Sequence, residues 1–266
     1  MRLTPADIAL AQHLADSAGA AIRPYFRAAH GLETKSDLSP VTLADRAAET
    51  AMRDLIAATF PQDGIIGEEF GTQPGTSGRV WVLDPIDGTR AFIAGRPIFG
   101  TLIALLADGW PVLGIIDQPI LHERWLGIIG QPTMFNGARA TTRQCPALAG
   151  ASIATTSPHL FDAHEGEHYL ALAAAAARGN MRQGPIYGGD CYNYGCLASG
   201  HIDIVIEAGL KLHDFAALVP VVEGAGGRMC DWAGEPLTAD SAGDVIAAGD
   251  PARIDDIVET LACHGH

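Results

Sequence analysis

Trp81-Val82-Leu83-Asp84-Pro85-Ile86-Asp87-Gly88-Thr89 decides how this chain is read. An apolar run ends at two carboxylates three positions apart, with a proline between them and a Gly-Thr turn behind. Pro85 has a fixed φ and biases Asp84 towards extended backbone, while Gly88 permits a tight turn. The expected result is a strand over 80–83 whose end aims both acids at one point. Hard divalent cations bind oxygen ligands arranged in this way. A bare Asp-Gly would be an ordinary turn, but that reading leaves the second acid, the proline, Thr89 and the upstream Gly67-Glu68-Glu69 unexplained.

Outward from this run, apolar spacing predicts an amphipathic helix over 6–29, a Ser/Asp/Pro-rich loop from Lys35 to Pro40, and a second helix over 42–60 ended by Pro61 and Gly64. Strands are expected over 65–66, 80–83, 99–107, 112–117 and 124–129, with Asp108-Gly109 as a hairpin turn. The first half therefore reads as two helices on a largely antiparallel sheet. A break around 142–150 separates it from an alternating half. There, strands are expected over 152–155, 181–187, 202–206 and 244–248, and helices over 163–178, 190–198, 214–224 and 251–262. Pro220 falls inside one of these helices and should kink or break it.

The chain has 266 residues, 48% of them hydrophobic, and a net charge of −14 from 17 basic and 31 acidic side chains. It can bury a large core, and the missing basic stripe argues against nucleic acid or an anionic membrane as partner. No apolar stretch reaches the roughly 20 residues that span a bilayer, and residues 1–26 lack the features of a signal peptide. The five cysteines form no CxxC pair and read as reduced, in a cytoplasmic protein. The ten histidines raise the question of a transition metal, but they are scattered along the chain, with His264 and His266 in the tail.

Carboxylates recur at the ends of elements: Asp45, Glu68, the Asp84/Asp87 pair, and Asp214 in Leu212-His213-Asp214. Singly, each reads as a loop acid or an N-cap. Collected, they fit a Mg²⁺ site in which two ions about 3.5–4 Å apart clamp a transferring phosphoryl group. Thr89 can hold an attacking water, and the backbone N–H groups of Gly88 and Thr89 can receive phosphate oxygens.

These residues resemble the inositol monophosphatase superfamily of Mg²⁺-dependent, lithium-sensitive phosphatases, over nearly the whole chain. The resemblance rests on Asp84-Pro85-Ile86-Asp87-Gly88-Thr89, on Asp214-Phe215-Ala216-Ala217 followed by Glu223-Gly224-Ala225-Gly226-Gly227, and on Gly67-Glu68-Glu69. It implies a layered α/β/α/β/α sandwich, shared with fructose-bisphosphatases, and a homodimer. It also implies two or three Mg²⁺ ions. Glu68, Asp84, the Ile86 carbonyl and Asp87 would be ligands, with Asp214 serving the second ion and Asp45 near a third position. Glu68 and Thr89 would orient the nucleophilic water. An N-terminal α+β lobe, 1–143, would hold most of the metal ligands. A C-terminal α/β lobe, 144–266, would hold the substrate pocket and the last ligand.

Thr89-Arg90-Ala91-Phe92-Ile93-Ala94-Gly95-Arg96-Pro97 and Tyr187-Gly188-Gly189-Asp190-Cys191-Tyr192 resemble the histidinol-phosphatase branch. The implied activity is hydrolysis of L-histidinol phosphate in histidine biosynthesis, with inositol-1-phosphate or another small polyol phosphate as the alternative. Gly88, Thr89, Gly188, Gly189 and Asp190 would line the substrate, and Asp190 and Glu207 suit its ammonium and imidazole. Asn193 is a further candidate for the imidazole, with a helix-surface amide as its other reading; Asp190 has a second reading as a helix cap. The superfamily usually has an aromatic residue directly before the second-site aspartate, where this chain has His213, which bears on the second metal.

Overall fold

In a computed structural model, residues 3–28, 32–34, 40–178 and 184–262 are described. Helix α1 (Pro5–Ile22) begins at a capping box between Thr4 and Asp7 and gives way at Pro24 to a 3-10 turn, Arg23–Tyr25. The predicted helix ends earlier than expected because proline carries no N–H to continue the ladder. Strands β1 (Leu32–Thr34) and β2 (Pro40–Thr42) pair, and α2 (Leu43–Thr59) follows. The rest of the predicted 35–40 loop lies outside the described residues.

The chain then builds β3 (Gly64–Gly67), β4 (Gly71–Gln73), β5 (Arg79–Asp87), the short helix α3 (Thr89–Ile93), β6 (Gly100–Ala107), β7 (Trp110–Gln118), β8 (Glu123–Ile128), β9 (Met134–Phe135) and β10 (Ala138–Arg139). They form one eight-stranded sheet in the order β10-β9-β8-β7-β6-β5-β3-β4. Every pairing in it is antiparallel except β3 with β5. The β6–β7 hairpin turns at Asp108-Gly109, as expected, with both residues at positive φ. Strand β5 does not stop before the acids. It runs on through Asp87, and its register against β6 shifts between Asp84 and Asp87. Such a bulge re-aims side chains at a strand end.

The second half contains β11 (Ile153–Thr155), α4 (Ala163–Ala177), β12 (Ile186–Tyr187), α5 (Asp190–Ala198), β13 (Ile204–Glu207), α6 (Leu212–Phe215), α7 (Leu218–Gly224), β14 (Arg228–Cys230), β15 (Val245–Ala248) and α8 (Ile254–Ala262). Its sheet has the order β12-β11-β13-β15-β14, parallel across the first three strands and antiparallel beyond. The single helix expected over 214–224 is two pieces. Pro220 sits in the first turn of α7, where its missing N–H leaves no bond unmade. Strand β14 was not anticipated, and part of the strand expected over 181–187 lies outside the described residues.

Side-chain alternation arranges these elements into layers. Leu14, Ala18, Met52 and Ile56 of α1 and α2 pack on Trp81, Leu83 and Ile103 of the large sheet. Val82, Leu102 and Ala104 point to its other face, against Tyr194, Phe215 and Leu218 and then Val205 and Ala247 of the small sheet. Ile204, Ile206 and Ile246 turn outward to Tyr169, Leu172 and Ile257 of α4 and α8. The result is an α/β/α/β/α sandwich. Two glycines bring its middle layer close. Gly114 on β7 and Gly127 on β8 are register partners. A Cβ on Gly114 would lie 2.0 Å from the Ala217 carbonyl oxygen, and one on Gly127 would lie 2.3 Å from that of Pro220. The α6–α7 segment therefore rests directly on the sheet.

Candidate active site

The two parallel junctions set the site. Glu68 follows β3, and its N–H donates to Leu83 O at 3.2 Å, so it sits beside the end of β5 with Asp84 and Asp87. In the small sheet the C-terminal ends of β11, β12 and β13 deliver Thr156, Gly188-Gly189 and Glu207. Open sheets hold ligands at the carboxyl ends of parallel strands, and here two sheets turn those ends towards one crevice.

Asp84, Asp87 and Asp214 each bring a carboxylate oxygen to within 4.8 Å of the other two, a group able to hold a metal ion. Asp84 is 2% exposed. Its Oδ1 is buried with no hydrogen-bond partner among the described residues. Burial first, then the neighbouring charges of Glu68, Asp87, Asp214 and Asp45, push its carboxyl well above the usual carboxylate range. Asp87 is raised by burial and then by Asp190 and Asp214, although the Cys191 N–H donates to its Oδ2 at 2.6 Å. Burial also raises Asp214, which accepts from the Lys211 N–H at 2.7 Å. Clustered like charges in low dielectric are costly unless a cation joins them. The donor set is all oxygen, the choice of hard ions such as Mg²⁺.

Asp45 lies buried in the first turn of α2, close enough for its charge to act on Asp84. The bulge orients two carbonyls. Thr101 Oγ1 donates to Pro85 O at 2.8 Å, and Thr89 Oγ1 donates to Ile86 O at 3.1 Å. Gly88, at φ 86°, opens α3 and faces Asp190: a Cβ there would lie 3.0 Å from Asp190 Oδ2. His213 places Nε2 3.5 Å from Asp214 Oδ1.

A cavity of about 180 Å³ adjoins the acids, lined by Asp87, Asp214, Asp190 and Glu207 on one side and by Leu160, Phe161 and Leu210 on another. Asp190 follows two left-handed glycines and has φ 41° itself, so it stands at the turn into α5 without capping it through its side chain. Burial raises its pKa to about 6, against the lowering effects of its hydrogen bond to Thr156 and of Arg90 and Arg96. Burial likewise raises Glu207 to about 7, opposed by its hydrogen bonds to Thr156. Thr156 gives Glu207 Oε1 both its N–H, at 2.9 Å, and its hydroxyl, at 2.6 Å. Asn193 is not a surface amide. It is buried behind the Gly188-Gly189 turn, and its Nδ2 donates to Gly188 O at 3.1 Å.

Sequence reasoning missed Thr156, which links Asp190 to Glu207, and the apolar wall. The polar run Thr155-Thr156-Ser157-Pro158 at the end of β11 was the available signal. A larger groove of about 740 Å³, between α1 and β7–β9, contains none of the predicted residues.

Comparison with known proteins agrees with this geometry. The chain is 47% identical over 265 residues to bifunctional phosphatase IMPL2, chloroplastic, of Arabidopsis thaliana, covering 96% of this chain and 75% of that protein. It is 38% identical over 252 residues to the histidinol-phosphatase of Chlorobaculum parvum, covering 92% and 93%. Among solved structures, an inositol monophosphatase from Zymomonas mobilis superposes with a TM-score of 0.87 at 53% identity, over 96% of this chain and 97% of that one. The family profile described as the inositol monophosphatase family matches residues 6–266. With the layered sandwich, the acidic cluster at the β5 bulge and a match along almost its full length, the chain belongs to the inositol monophosphatase family, whose members are metal-dependent phosphatases.

Proposed function

We propose that this chain is a Mg²⁺-dependent phosphomonoesterase that hydrolyses L-histidinol phosphate to L-histidinol and phosphate. The observation that carries the substrate assignment is the pair Asp190 and Glu207, a half-buried and a buried carboxyl on the wall of the cavity beside the acidic cluster. Histidinol phosphate carries an ammonium and an imidazole next to its ester, and buried carboxylates bind such cations by charge-assisted hydrogen bonds. Leu160, Phe161 and Leu210 offer the imidazole an apolar surface. The histidinol-phosphatase relatives support the same reading.

Glu68, Asp84, Asp87, Asp214 and the Ile86 carbonyl would hold two Mg²⁺ ions, with Asp45 near a third. When bound, these ions lower the pKa of a ligated water and stabilise charge on the phosphoryl group. Glu68 and Thr89 orient the attacking water in line with phosphorus, and the N–H groups of Gly88 and Thr89 receive phosphate oxygens. The water oxygen bonds to phosphorus as the ester P–O bond breaks; the water gives up one proton and the departing alkoxide takes one up, so the reaction is proton-neutral overall. Asp190 and Glu207, held by Thr156, orient the amino alcohol. A homodimer in the cytoplasm completes the proposal.

A second reading, inositol-1-phosphate as substrate, is favoured by the 53% identical inositol monophosphatase structure. Phosphate release from L-histidinol phosphate and myo-inositol-1-phosphate, each with Mg²⁺ and with chelator, separates the two. Mg²⁺-dependent preference for histidinol phosphate supports the first reading; preference for inositol phosphate overturns it in favour of the second.

Asp190→Asn tests the ammonium contact. Removing one partner of a partly buried charge-assisted pair is worth about 2–3 kcal/mol, so kcat/KM for histidinol phosphate should fall roughly 30–150-fold. The value for an ester whose alcohol part carries no charge, such as phenyl phosphate, should fall far less. Equal losses on both esters would remove Asp190 from substrate selection. In the wild type, Glu207 and Asp190 protonate as pH falls through about 7 and about 6. KM for histidinol phosphate should therefore rise from pH 8 to pH 5.5, beyond any rise seen for phenyl phosphate.

A further inference from the structure

We propose that His164 and His168 form a binding site for a borderline divalent transition ion, separate from the acidic centre. His164-Glu165-Gly166-Glu167-His168 puts two imidazoles one turn apart at the start of α4. Their Nε2 atoms lie 3.3 Å apart, with ring centroids 4.3 Å apart. Two imidazole nitrogens about 2.0–2.1 Å from one tetrahedral ion are separated by roughly 3.3 Å, so the pair is already at bridging distance. Nitrogen donors of this kind suit Ni²⁺, Cu²⁺ or Zn²⁺, whereas Mg²⁺ prefers the all-oxygen cluster.

The surroundings set the tautomer. His168 is buried, and its Nδ1 is hydrogen-bonded to the carbonyl oxygen of Leu261 on α8. A carbonyl only accepts, so Nδ1 carries a proton, which leaves Nε2 as the nitrogen whose lone pair is available to an ion. A backbone carbonyl on the far ring nitrogen is the usual way a metal-binding histidine is oriented. His164 is exposed, which gives the ion a path from solvent.

The spacing matches HExxH, in which the glutamate acts as a general base. The structure removes that role. Glu165 Oε2 accepts the Asp162 N–H at 2.7 Å while Asp162 Oδ1 accepts the Glu165 N–H at 2.8 Å, a capping box that commits this carboxylate to the helix end. The site is therefore one for binding rather than hydrolysis. Among the described residues no further His, Cys, Asp or Glu completes a three-ligand set here. Water can fill the remaining positions. Cys263 and His264, which lie outside the described residues, follow Leu261 by two and three positions in sequence and are competing ligands to be tested.

Trp232 supplies a readout. Its ring centroid is 6.1 Å from that of His168, and its Nε1 donates to Glu207 O at 3.2 Å. Cu²⁺ bound by the two histidines should quench Trp232 emission. The intact protein, saturated with Mg²⁺, is titrated with Cu²⁺ and followed by tryptophan fluorescence, with Trp232→Phe to assign the signal. His164→Ala, at an exposed position, should weaken the apparent Cu²⁺ affinity at least about tenfold, since even outer partners of a ligating histidine contribute about 10–100-fold. A combined Cys263→Ser, His264→Ala, His266→Ala variant should retain quenching that depends on His164. The proposal is overturned if His164→Ala leaves the Trp232 quench unchanged, in which case the two rings share only a hydrogen bond. Because the readout is not turnover, its failure leaves the phosphatase reading untouched.

Discussion

Asp84→Asn should reduce kcat by at least about 10³-fold, corresponding to roughly 4 kcal/mol of transition-state stabilisation, while the metal-free protein becomes more stable. Both expectations follow from the same carboxylate. Asp84 is buried, surrounded by four other acids whose charges raise its pKa, and one of its oxygens has no hydrogen-bond partner among the described residues. Without a cation its ionised form is a liability, and a neutral amide of the same shape relieves it. With a cation bound, that carboxylate would be a central oxygen donor of the cluster.

Thermal unfolding with and without Mg²⁺ separates these contributions. In the wild type, Mg²⁺ at 100 times its dissociation constant should stabilise by about 2.7 kcal/mol. In Asp84→Asn the metal-free transition should move up and the Mg²⁺-induced shift should shrink or vanish. A variant that stays fully active, or that keeps the whole Mg²⁺ shift, would remove Asp84 from the metal site.

Gly114→Val carries the largest expected loss of stability. A Cβ at Gly114 would stand 2.0 Å from the Ala217 carbonyl oxygen and 2.9 Å from Pro220 Cγ, and the opposing atoms are backbone and a proline ring rather than a mobile side chain. Overpacking of this kind typically destabilises by about 1–3 kcal/mol, and the lack of room to yield puts this site at about 3 kcal/mol or more. The consequence reaches the site, because the displaced segment is the link between α6, which carries Asp214, and α7. Weaker Mg²⁺ binding should accompany the lowered melting temperature, even though Gly114 carries no side chain that could be a ligand. Alanine at the same place should show the same two effects at smaller size. A Gly114→Val protein with unchanged melting temperature and unchanged Mg²⁺ dependence would mean that α7 is not held by this contact.

Much of this protein was written in local residue order. The 3.6- and 2-residue periodicities located most of the long helices and strands, Asp108-Gly109 marked its hairpin, and Pro220 announced the break before α7. The run from Asp84 to Thr89 pointed to a metal site because proline, glycine and paired acids restrict the backbone locally, within a few residues of where the chemistry is needed. Other features depend on residues that are distant along the chain. β5 continues past Asp84 because β6 pairs with it, and the bulge is a property of that pairing. Strand β14 has only three residues and no pattern of its own; it exists because β15 offers an edge. Thr156 is an ordinary threonine until the parallel alignment of β11 and β13 sets it against Glu207, 51 positions away. Asn193 reads in sequence as a substrate candidate or a surface amide; packing rules out the second by burying it and giving its Nδ2 to Gly188 O. Sequence by itself determined the elements and the acidic chemistry, since both arise from short-range constraints on backbone and charge. Only the tertiary structure decided which side chains share the cavity and what each hydrogen-bonds, because that is set by sheet register and by how closely one layer rests on the next.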